Sequence, residues 1–418
     1  MSSLSQLAES MTGSEIVRLG NEISRRVQQG EKIYNYTIGD FDPHIFPVPA
    51  LLEDLIIESY KQKNTNYPPA DGLLELRDAV SKFIERNDAV HYATNEIQIA
   101  SGGRPLIYAA FKTIVDKDDK VIYAAPSWNN NHYTGMNQGG HCVIEAFPEN
   151  NFMPSAADIA RQISGAALLC LCSPQNPTGT VMTKETMEDI CDLVLEENRK
   201  RTGKEKKLYL LFDQMYSLLT YGDIRHYHPV ALRPAMKEFT ISVDGISKSF
   251  AATGVRVGWA AGPANVIAKI RALLGHTGGW APMAEQKATA RFLLQNDAMD
   301  KFLEHFKHGL YDRLLTIYKG VVCLKDKGLP IDCIAPQAGI YLTIKLPLVG
   351  KTADGKLLET QKEVTEYLLN KARLAIVPFY AFGAGNGSPW YRLSVGTCVL
   401  SEIPEMLTLL ENALQELS

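Results

Sequence analysis

Residues 243–259, VDGISKSFAATGVRVGW, place one lysine in surroundings that suit chemistry better than solvation. Lys248 is flanked by Ser247, Ser249 and small alanine and glycine residues, which leave room for a flat ligand beside the amine. A lysine removed from water loses much of its preference for the charged form, and a neutral amine is a nucleophile. Together with Arg256, which could hold a phosphate, the stretch predicts a Schiff base with pyridoxal phosphate, an aldehyde that carries a phosphate. The alternative is a lysine that only caps a loop.

Outward from this stretch, apolar strand candidates alternate with helical patterns. The candidates are residues 97–100, 121–124, 142–147, 166–172, 208–212, 239–243 and 257–261. Runs such as AALLCLC and LYLLF are apolar on both faces, as strands covered by helices must be. The pattern predicts a mostly parallel sheet in a three-layer α/β/α large domain of residues 52–283. Residues 1–51 and the α+β tail of residues 284–418 are predicted to form a smaller domain.

Composition excludes several classes of protein. The 418-residue chain is 45% apolar with a net charge of −4, which suits two globular domains and shows no basic surface for nucleic acid or membrane lipid. Its one basic run, 199–207, follows a helical pattern and is predicted to be a solvated helix end and loop. Seven scattered cysteines argue against a disulfide framework, and no apolar run approaches the roughly 18–20 residues of a membrane span. These features predict a cytoplasmic protein.

Polar side chains follow the carboxyl ends of five predicted strands. Residues 101–104, Trp128, Asn176, Asp213 and Lys248 each come directly after such a strand. In open α/β sheets the ligand crevice lies at that edge. The sequence therefore predicts one site at one edge of one sheet.

Two of these positions suit the phosphate and the ring of the predicted cofactor. Arg104 follows the pair Gly102-Gly103 at the start of a helix, where backbone N–H groups and the helix dipole favour an anion. Trp128 lies on a loop leaving the sheet and is predicted to stack on a pyridine ring. The alternative for the Gly-Gly turn is a plain connection, and the alternative for Trp128 is a tryptophan buried in the core.

Three further residues suit the polar atoms of that ring. Asn176 is fixed between Pro174 and Pro177 and can donate to a phenolate oxygen. Asp213 ends an apolar strand, where a protonated pyridine nitrogen would pair its carboxylate and keep the ring an electron sink. Tyr216 can donate to the ring oxygen beside Asn176. An ordinary turn at Asn176 and a buried Asp213 bound by backbone donors are the alternatives.

These motifs resemble those of the class I and II aminotransferases, fold-type I enzymes that depend on pyridoxal phosphate, and are most similar to the aspartate aminotransferase branch. The matching segments are S-K-x-F-x-x-x-G-x-R-x-G-W at 247–259, N-P-T-G at 176–179, D-x-x-Y at 213–216, R-L-S at 392–394, G-D-F-D at 39–42 and N-Y-P-P-A-D-G at 66–72. The resemblance spans about residues 14–396. It implies the α/β/α PLP-transferase fold.

The resemblance also implies roles that the residues alone do not. Arg392 would hold the substrate α-carboxylate, together with Asn176 and the backbone of Gly39. Tyr67 would reach the phosphate in the neighbouring subunit, so the protein would be a homodimer with shared active sites. Gly245 stands where many relatives have serine or threonine, and Ser247 is taken to supply that hydroxyl.

The implied reaction is transfer of an amino group from an L-amino acid to a 2-oxo acid with ping-pong kinetics, in which Lys248 is the catalytic base. In the aspartate branch a lysine after the Gly-Gly pair and a serine near the N-terminus bind the side-chain carboxylate. Arg104 and Ser14 stand at those places, which favours an acidic substrate. Surface pairing of Arg104 is the alternative.

Other functions remain as alternatives or are disfavoured. Aromatic or broad specificity stays open, and a C–S lyase on the same fold would share every cofactor residue. A PLP-sensing regulator lacks room for a basic DNA-binding module, and a dehydrogenase lacks G-x-G-x-x-G after the first strand. His226 and His228 have metal-like spacing without a third ligand nearby, so no metal is predicted.

Overall fold

The computed structural model describes residues 4–11, 13 and 15–418. Its strands are, in chain order, β1 (Tyr34–Asn35), β2 (Ile97–Ala100), β3 (Lys120–Ala125), β4 (Gly140–Glu145), β5 (Ala166–Cys172), β6 (Tyr209–Asp213), β7 (Thr240–Gly245), β8 (Gly258–Ala261), β9 (Asp332–Cys333), β10 (Tyr341–Lys345), β11 (Thr352–Ala353), β12 (Lys356–Leu357), β13 (Leu374–Ala375), β14 (Val377–Pro378) and β15 (Trp390–Ser394).

The helices surround these strands. They are α1 (Gln6–Ser10), α2 (Glu15–Gln28), α3 (Ala50–Lys61), α4 (Leu74–Asp88), α5 (Gly103–Ile114), α6 (Asn130–Met136), α7 (Ala156–Ala160), α8 (Lys184–Lys200), α9 (Pro229–Leu232), α10 (Ile246–Ser249), α11 (Ala264–Thr277), α12 (Met283–Phe292), α13 (Asn296–Asp326), α14 (Gln361–Lys371) and α15 (Ile403–Gln415). Short 3₁₀ turns cover Thr94–Glu96, Pro148–Asn150, Pro234–Glu238, Phe379–Phe382 and Leu400–Glu402.

The central sheet has seven strands in the order β2-β8-β7-β6-β5-β3-β4. Each of the seven predicted runs overlaps one of them. Strands β3 to β7 pair in parallel, and β8 alone runs antiparallel to both of its neighbours, β2 and β7. The mostly parallel α/β sheet is therefore confirmed, and the carboxyl ends of β2, β3, β5, β6 and β7 meet at one edge.

Side-chain alternation along the central strands builds two cores. In β6, Leu210 and Phe212 pack into a cluster with side chains of α3, α4, α8 and α12. Leu211, between them, packs on the opposite face with α5 and α11. Because successive side chains of a strand point to opposite faces, a run that is apolar throughout is buried on both sides. The result is the predicted three-layer arrangement.

A third core lies beside this sheet. It contains residues of α13, α14 and α15 packed on the antiparallel sheet β14-β15-β10-β9. The N-terminal segment joins this part of the molecule, since β1 pairs in parallel with β13. Side chains of α12, such as Phe292, belong to the first core. The division into a 52–283 domain and a smaller one stays a prediction.

The basic run 199–207 forms the end of α8 and a largely exposed loop, as predicted, except at Arg201. Arg201 is buried, and its guanidinium donates to the carbonyl oxygens of Ala166 and Ile163 while it pairs with Glu197 at 2.8 Å. The arginine thus binds backbone carbonyls around the start of β5, which a reading of local charge does not reveal.

No helix in the described ranges is long and apolar enough to cross a membrane. All seven cysteines, at positions 142, 170, 172, 191, 323, 333 and 398, are free thiols.

Candidate active site

A cavity of about 680 Å³ opens where the carboxyl edge of the central sheet faces the third core. Most predicted site residues line it, namely Gly39, Gly103, Arg104, Trp128, Asn176, Asp213, Tyr216, Ser247, Lys248, Arg256 and Arg392. They come from segments far apart in the chain, so the fold is what brings them together.

Lys248 lies on α10, directly after β7, and its Nζ donates to the carbonyl oxygen of Gly39 at 2.5 Å. Burial lowers the pKa of Lys248 to about 8. The carboxylate of Asp40 opposes this shift, and the guanidinium groups of Arg392 and Arg104 add to it. A pKa near 8 leaves a far larger neutral fraction at pH 7 than the ordinary value of 10.5. The amine is therefore available as a nucleophile and as a base.

An anion cradle lies at the start of α5. Gly102 has φ of 88°, and a Cβ there would collide with the Arg256 guanidinium, so only glycine fits. Arg256 donates to the carbonyl oxygens of Ser101 at 2.6 Å and Thr253 at 2.7 Å, which fixes its plane. The hydroxyl of Ser247 is buried without a partner in the described structure. A phosphate would supply acceptors for these donors and for the helix N-terminus.

Asp213 ends β6 with a carboxylate that lacks a close cationic partner among the described residues. It accepts one hydrogen bond, from the Met215 backbone N–H at 3.2 Å. Burial raises the pKa of Asp213 to about 6, against the opposing effects of that bond and of Lys248. A cationic N–H donor in the cavity would remove this penalty. This acceptor fits the N–H of a pyridinium ring.

Arg392 is a buried guanidinium that pairs with no carboxylate in the described part of the chain. It projects from β15, with Nη1 donating to Oδ1 of Asn176 at 3.0 Å and Nη2 to the carbonyl oxygen of Thr37 at 2.5 Å. Its Nε is buried and has no hydrogen-bond partner within the described ranges. Burial lowers the pKa of Arg392, which reflects the cost of holding this charge out of water. A carboxylate ligand would offset that cost.

Asn176 is oriented by the same contact. Because its oxygen accepts from Arg392, its amide N–H groups face away from that arginine and have no partner among the described residues. Such N–H groups can donate to an anionic ligand oxygen in the cavity, as predicted.

Four aromatic and cationic side chains complete the wall. The hydroxyl of Tyr216 bonds that of Tyr341 at 2.6 Å. The exposed guanidinium of Arg104 lies 5.2 Å from the centre of the Trp128 ring. Arg104 forms no ion pair with any described residue. The structure therefore does not support the alternative that Arg104 only pairs with a carboxylate on the protein surface.

One predicted residue lies away from this cavity, and another is not among the described residues. Tyr67 is 84% exposed and does not line the cavity of its own chain; its ring meets that of Trp280 edge-on, with centroids 5.5 Å apart. Ser14 lies outside the described residues, so its predicted contact with substrate stays untested.

Asp40 and Tyr341 are among the cavity residues that sequence reasoning missed. Asp40 accepts from the Thr253 hydroxyl at 2.6 Å and opposes the lowered pKa of Lys248. Its position beside Gly39 was the available signal. Tyr341 lies in a buried strand of the third core, and no local motif marks it.

The cavity combines a lysine of lowered pKa with several cationic groups, an arrangement that suits an anionic ligand. A family model described as aminotransferase class I and II matches residues 32–408. The chain is 29% identical over 363 residues to a probable aspartate/prephenate aminotransferase of Rhizobium leguminosarum bv. phaseoli. The aligned region covers 84% of each chain.

Two further comparisons extend over nearly the whole chain. An aspartate aminotransferase of Bacillus subtilis strain 168 is 27% identical over 418 residues, covering 99% of this chain and 98% of the relative. The crystal structure of the aspartate aminotransferase from Rhizobium meliloti aligns with a TM-score of 0.91 at 25% identity, covering 100% of both chains.

The protein therefore belongs to the class I and II aminotransferase family. The predicted family, the α/β fold and the assignment as an aminotransferase are confirmed. The roles of individual site residues stay predictions.

Proposed function

We propose that this enzyme uses pyridoxal phosphate to move an amino group from an acidic, aspartate-like L-amino acid to a 2-oxo acid. One observation carries the proposal: Lys248, whose pKa is lowered, shares the cavity with the carboxylate of Asp213 and the buried guanidinium of Arg392, neither of which has an ion-pair partner among the described residues. Lysine, carboxylate and guanidinium match the aldehyde and pyridine nitrogen of the cofactor and the carboxylate of an amino acid.

The chain's own residues fit the cofactor. Arg256, Ser247 and the N–H groups at the start of α5 would hold its phosphate, Asp213 its ring nitrogen, and Asn176 and Tyr216 its ring oxygen. Trp128 would stack on its ring. When bound, pyridoxal phosphate supplies an aldehyde for amine exchange and a ring that accepts electrons from the substrate Cα.

The substrate is oriented by groups opposite the lysine. Arg392 would bind the α-carboxylate with its fork, and Asn176 and the backbone of Gly39 would fix its rotation. The neutral Nζ of Lys248 would take the proton from the substrate Cα and deliver it to the carbon that comes from the cofactor aldehyde.

Arg104 is the group best placed to read an acidic side chain. Its guanidinium lies at the cavity wall over Trp128 without a carboxylate partner among the described residues. A second carboxylate on the substrate would supply one. The names of the relatives, aspartate and aspartate/prephenate aminotransferases, support this choice of substrate. Aromatic and broad specificity are the remaining options.

We expect the protein loaded with pyridoxal phosphate to release one equivalent of 2-oxo acid per site when L-aspartate is added alone. The visible absorption of the cofactor should fall in the same step, since the amino group stays on the enzyme. Turnover should resume only when a 2-oxo acid is supplied. A C–S lyase would instead release ammonia and a thiol from an amino acid that carries sulfur on Cβ, without any added oxo acid.

The control for substrate class is Arg104→Ala, with Arg104→Lys as the variant that keeps the charge. In Arg104→Ala, the ratio of activity on L-aspartate to activity on L-alanine should fall by roughly 10-fold or more, since a charge-assisted hydrogen bond contributes about 1.5–3 kcal/mol. The lysine variant should lie between. An unchanged aspartate-to-alanine ratio would rule out Arg104 as the reader of an acidic side chain.

We also propose a homodimer with shared active sites, because Tyr67 is exposed beside Trp280 and misses the cavity of its own chain. Sedimentation should give twice the mass of one chain. A hybrid of a Lys248→Ala subunit and a Tyr67→Ala subunit should recover about half of wild-type activity, because one of its two sites is intact. A stable hybrid without recovery would show that Tyr67 does not act across the interface.

A further inference from the structure

Tyr341 lies in β10, in the cavity wall between two residues with proposed roles. It is 2% exposed, and its hydroxyl bonds the hydroxyl of Tyr216 at 2.6 Å. The two rings meet edge-on with centroids 5.5 Å apart. On its other side the guanidinium carbon of Arg392 lies 4.7 Å from the ring centre of Tyr341.

The surroundings fix the position of this hydroxyl. Strand β10 pairs with β15 in a register that opposes Tyr341 to Ser394 and Thr343 to Arg392. A Cβ at Gly39 would lie only 2.7 Å from the Tyr341 oxygen, so the hydroxyl abuts the loop whose carbonyl accepts from Lys248. Tyr341 therefore lies against the Gly39 loop that binds Lys248, against the guanidinium of Arg392 and against Tyr216.

The direction of the tyrosine–tyrosine bond depends on what occupies the cavity. Either hydroxyl can donate in the protein alone. When an anionic oxygen lies in front of Tyr216, Tyr216 must donate to that oxygen, and only Tyr341 is then left to donate to Tyr216. A hydroxyl that accepts a hydrogen bond is a stronger donor, because hydrogen-bond chains polarise their members.

We propose that Tyr341 is a positioning residue that acts through Tyr216: by donating to its hydroxyl, it directs and strengthens the hydrogen bond from Tyr216 to the ring oxygen of the cofactor. This inference rests on the proposed use of pyridoxal phosphate. It assigns to a residue outside every recognised motif a role in setting the electronic state of the bound ring.

The substitution that tests it is Tyr341→Phe, which removes the hydroxyl and keeps the ring against Arg392. The measurement is the pH midpoint of the visible absorption change of the cofactor-loaded protein without substrate. A weaker hydrogen bond from Tyr216 stabilises the anionic ring oxygen less, which favours the protonated form of the bound cofactor. The midpoint should therefore rise by roughly 0.2–0.7 pH unit, since each bond in such a chain gains about 10–30% from its neighbour.

Two comparisons separate this role from general damage. Tyr367→Phe removes another buried tyrosine hydroxyl of the same core, which donates to the Ala413 carbonyl at 2.6 Å, and should leave the midpoint unchanged. In a Tyr216→Phe background, adding Tyr341→Phe should produce no further shift, because the intermediary is gone.

Each result decides the question. A midpoint that does not move in Tyr341→Phe, that moves equally in Tyr367→Phe, or that still moves in the Tyr216→Phe background overturns the role of Tyr341. A wild-type protein that fails to bind pyridoxal phosphate overturns the proposed function itself. Normal binding by the wild type with an unshifted Tyr341→Phe overturns only the present inference.

Discussion

Replacing Lys248 with alanine is expected to reduce transamination by at least about 10⁴-fold, the upper end of what one acid–base group contributes. The variant loses both the nucleophile that attaches the cofactor and the base that moves the Cα proton. Single-turnover release of 2-oxo acid from L-aspartate measures the loss. Borohydride reduction followed by mass spectrometry should show the cofactor attached to the wild type and not to the variant.

The matched control for this change is Lys307→Ala. Burial lowers the pKa of Lys307 as well, but the residue lies on α13 and does not line the cavity. This variant should retain the covalent adduct and the activity. An adduct that persists in Lys248→Ala would show that another lysine is the attachment site.

The pH dependence of attachment follows from the same lysine. Only the neutral amine attacks an aldehyde, and burial lowers the pKa of Lys248 to about 8. The rate at which the apo-protein attaches pyridoxal phosphate should therefore rise with pH and level off above about 8, rather than above the ordinary 10.5. In Lys307→Ala the profile should be the same.

The architecture was predictable because it depends on patterns that are local in the sequence. The run LYLLF is apolar at every position, and β6 places Leu210 and Leu211 in cores on opposite faces of the sheet. Since the carboxyl ends of parallel strands share an edge, the polar residues after each strand had to converge. Asn176, Asp213 and Lys248 accordingly line one cavity.

What could not be predicted depends on contacts between distant segments. Tyr341 meets Tyr216 only because the third core packs against the sheet edge, and no spacing in the sequence encodes that distance. Arg201 looked like a solvated charge, yet it binds the carbonyl oxygens of Ala166 and Ile163. In both cases the partner is a group whose location is known only after folding.

Replacing Arg392 with alanine is expected to lower kcat/KM for every amino-acid substrate. Loss of one partner of a buried, hydrogen-bonded charge pair costs about 2–5 kcal/mol, which corresponds to roughly 30- to 4,000-fold. Steady-state kinetics with aspartate and with alanine should show the same loss, because both carry the α-carboxylate. Arg392→Lys keeps the charge without the planar fork and should fall between.

The contrast with Arg104→Ala separates the two arginines. That variant should discriminate between substrates, whereas Arg392→Ala should not. An Arg392 variant that lost activity only towards aspartate would assign the side-chain carboxylate, and not the α-carboxylate, to Arg392. The same pair of substrates thus tests both assignments.

Arg392 also offers a way to distinguish a functional charge from a structural one. Breaking a buried ion pair destabilises a protein because it leaves an uncompensated charge, but Arg392 has no carboxylate partner among the described residues. Removing it takes an unpaired charge out of the interior, so the apo-protein with Arg392→Leu should unfold at the same temperature as wild type or higher, although its activity is lost. A clear fall in the unfolding temperature would mean that the bonds to Asn176 and Thr37 hold the fold together. Equal or greater stability would mean that the fold tolerates this buried charge because the substrate supplies its counter-ion.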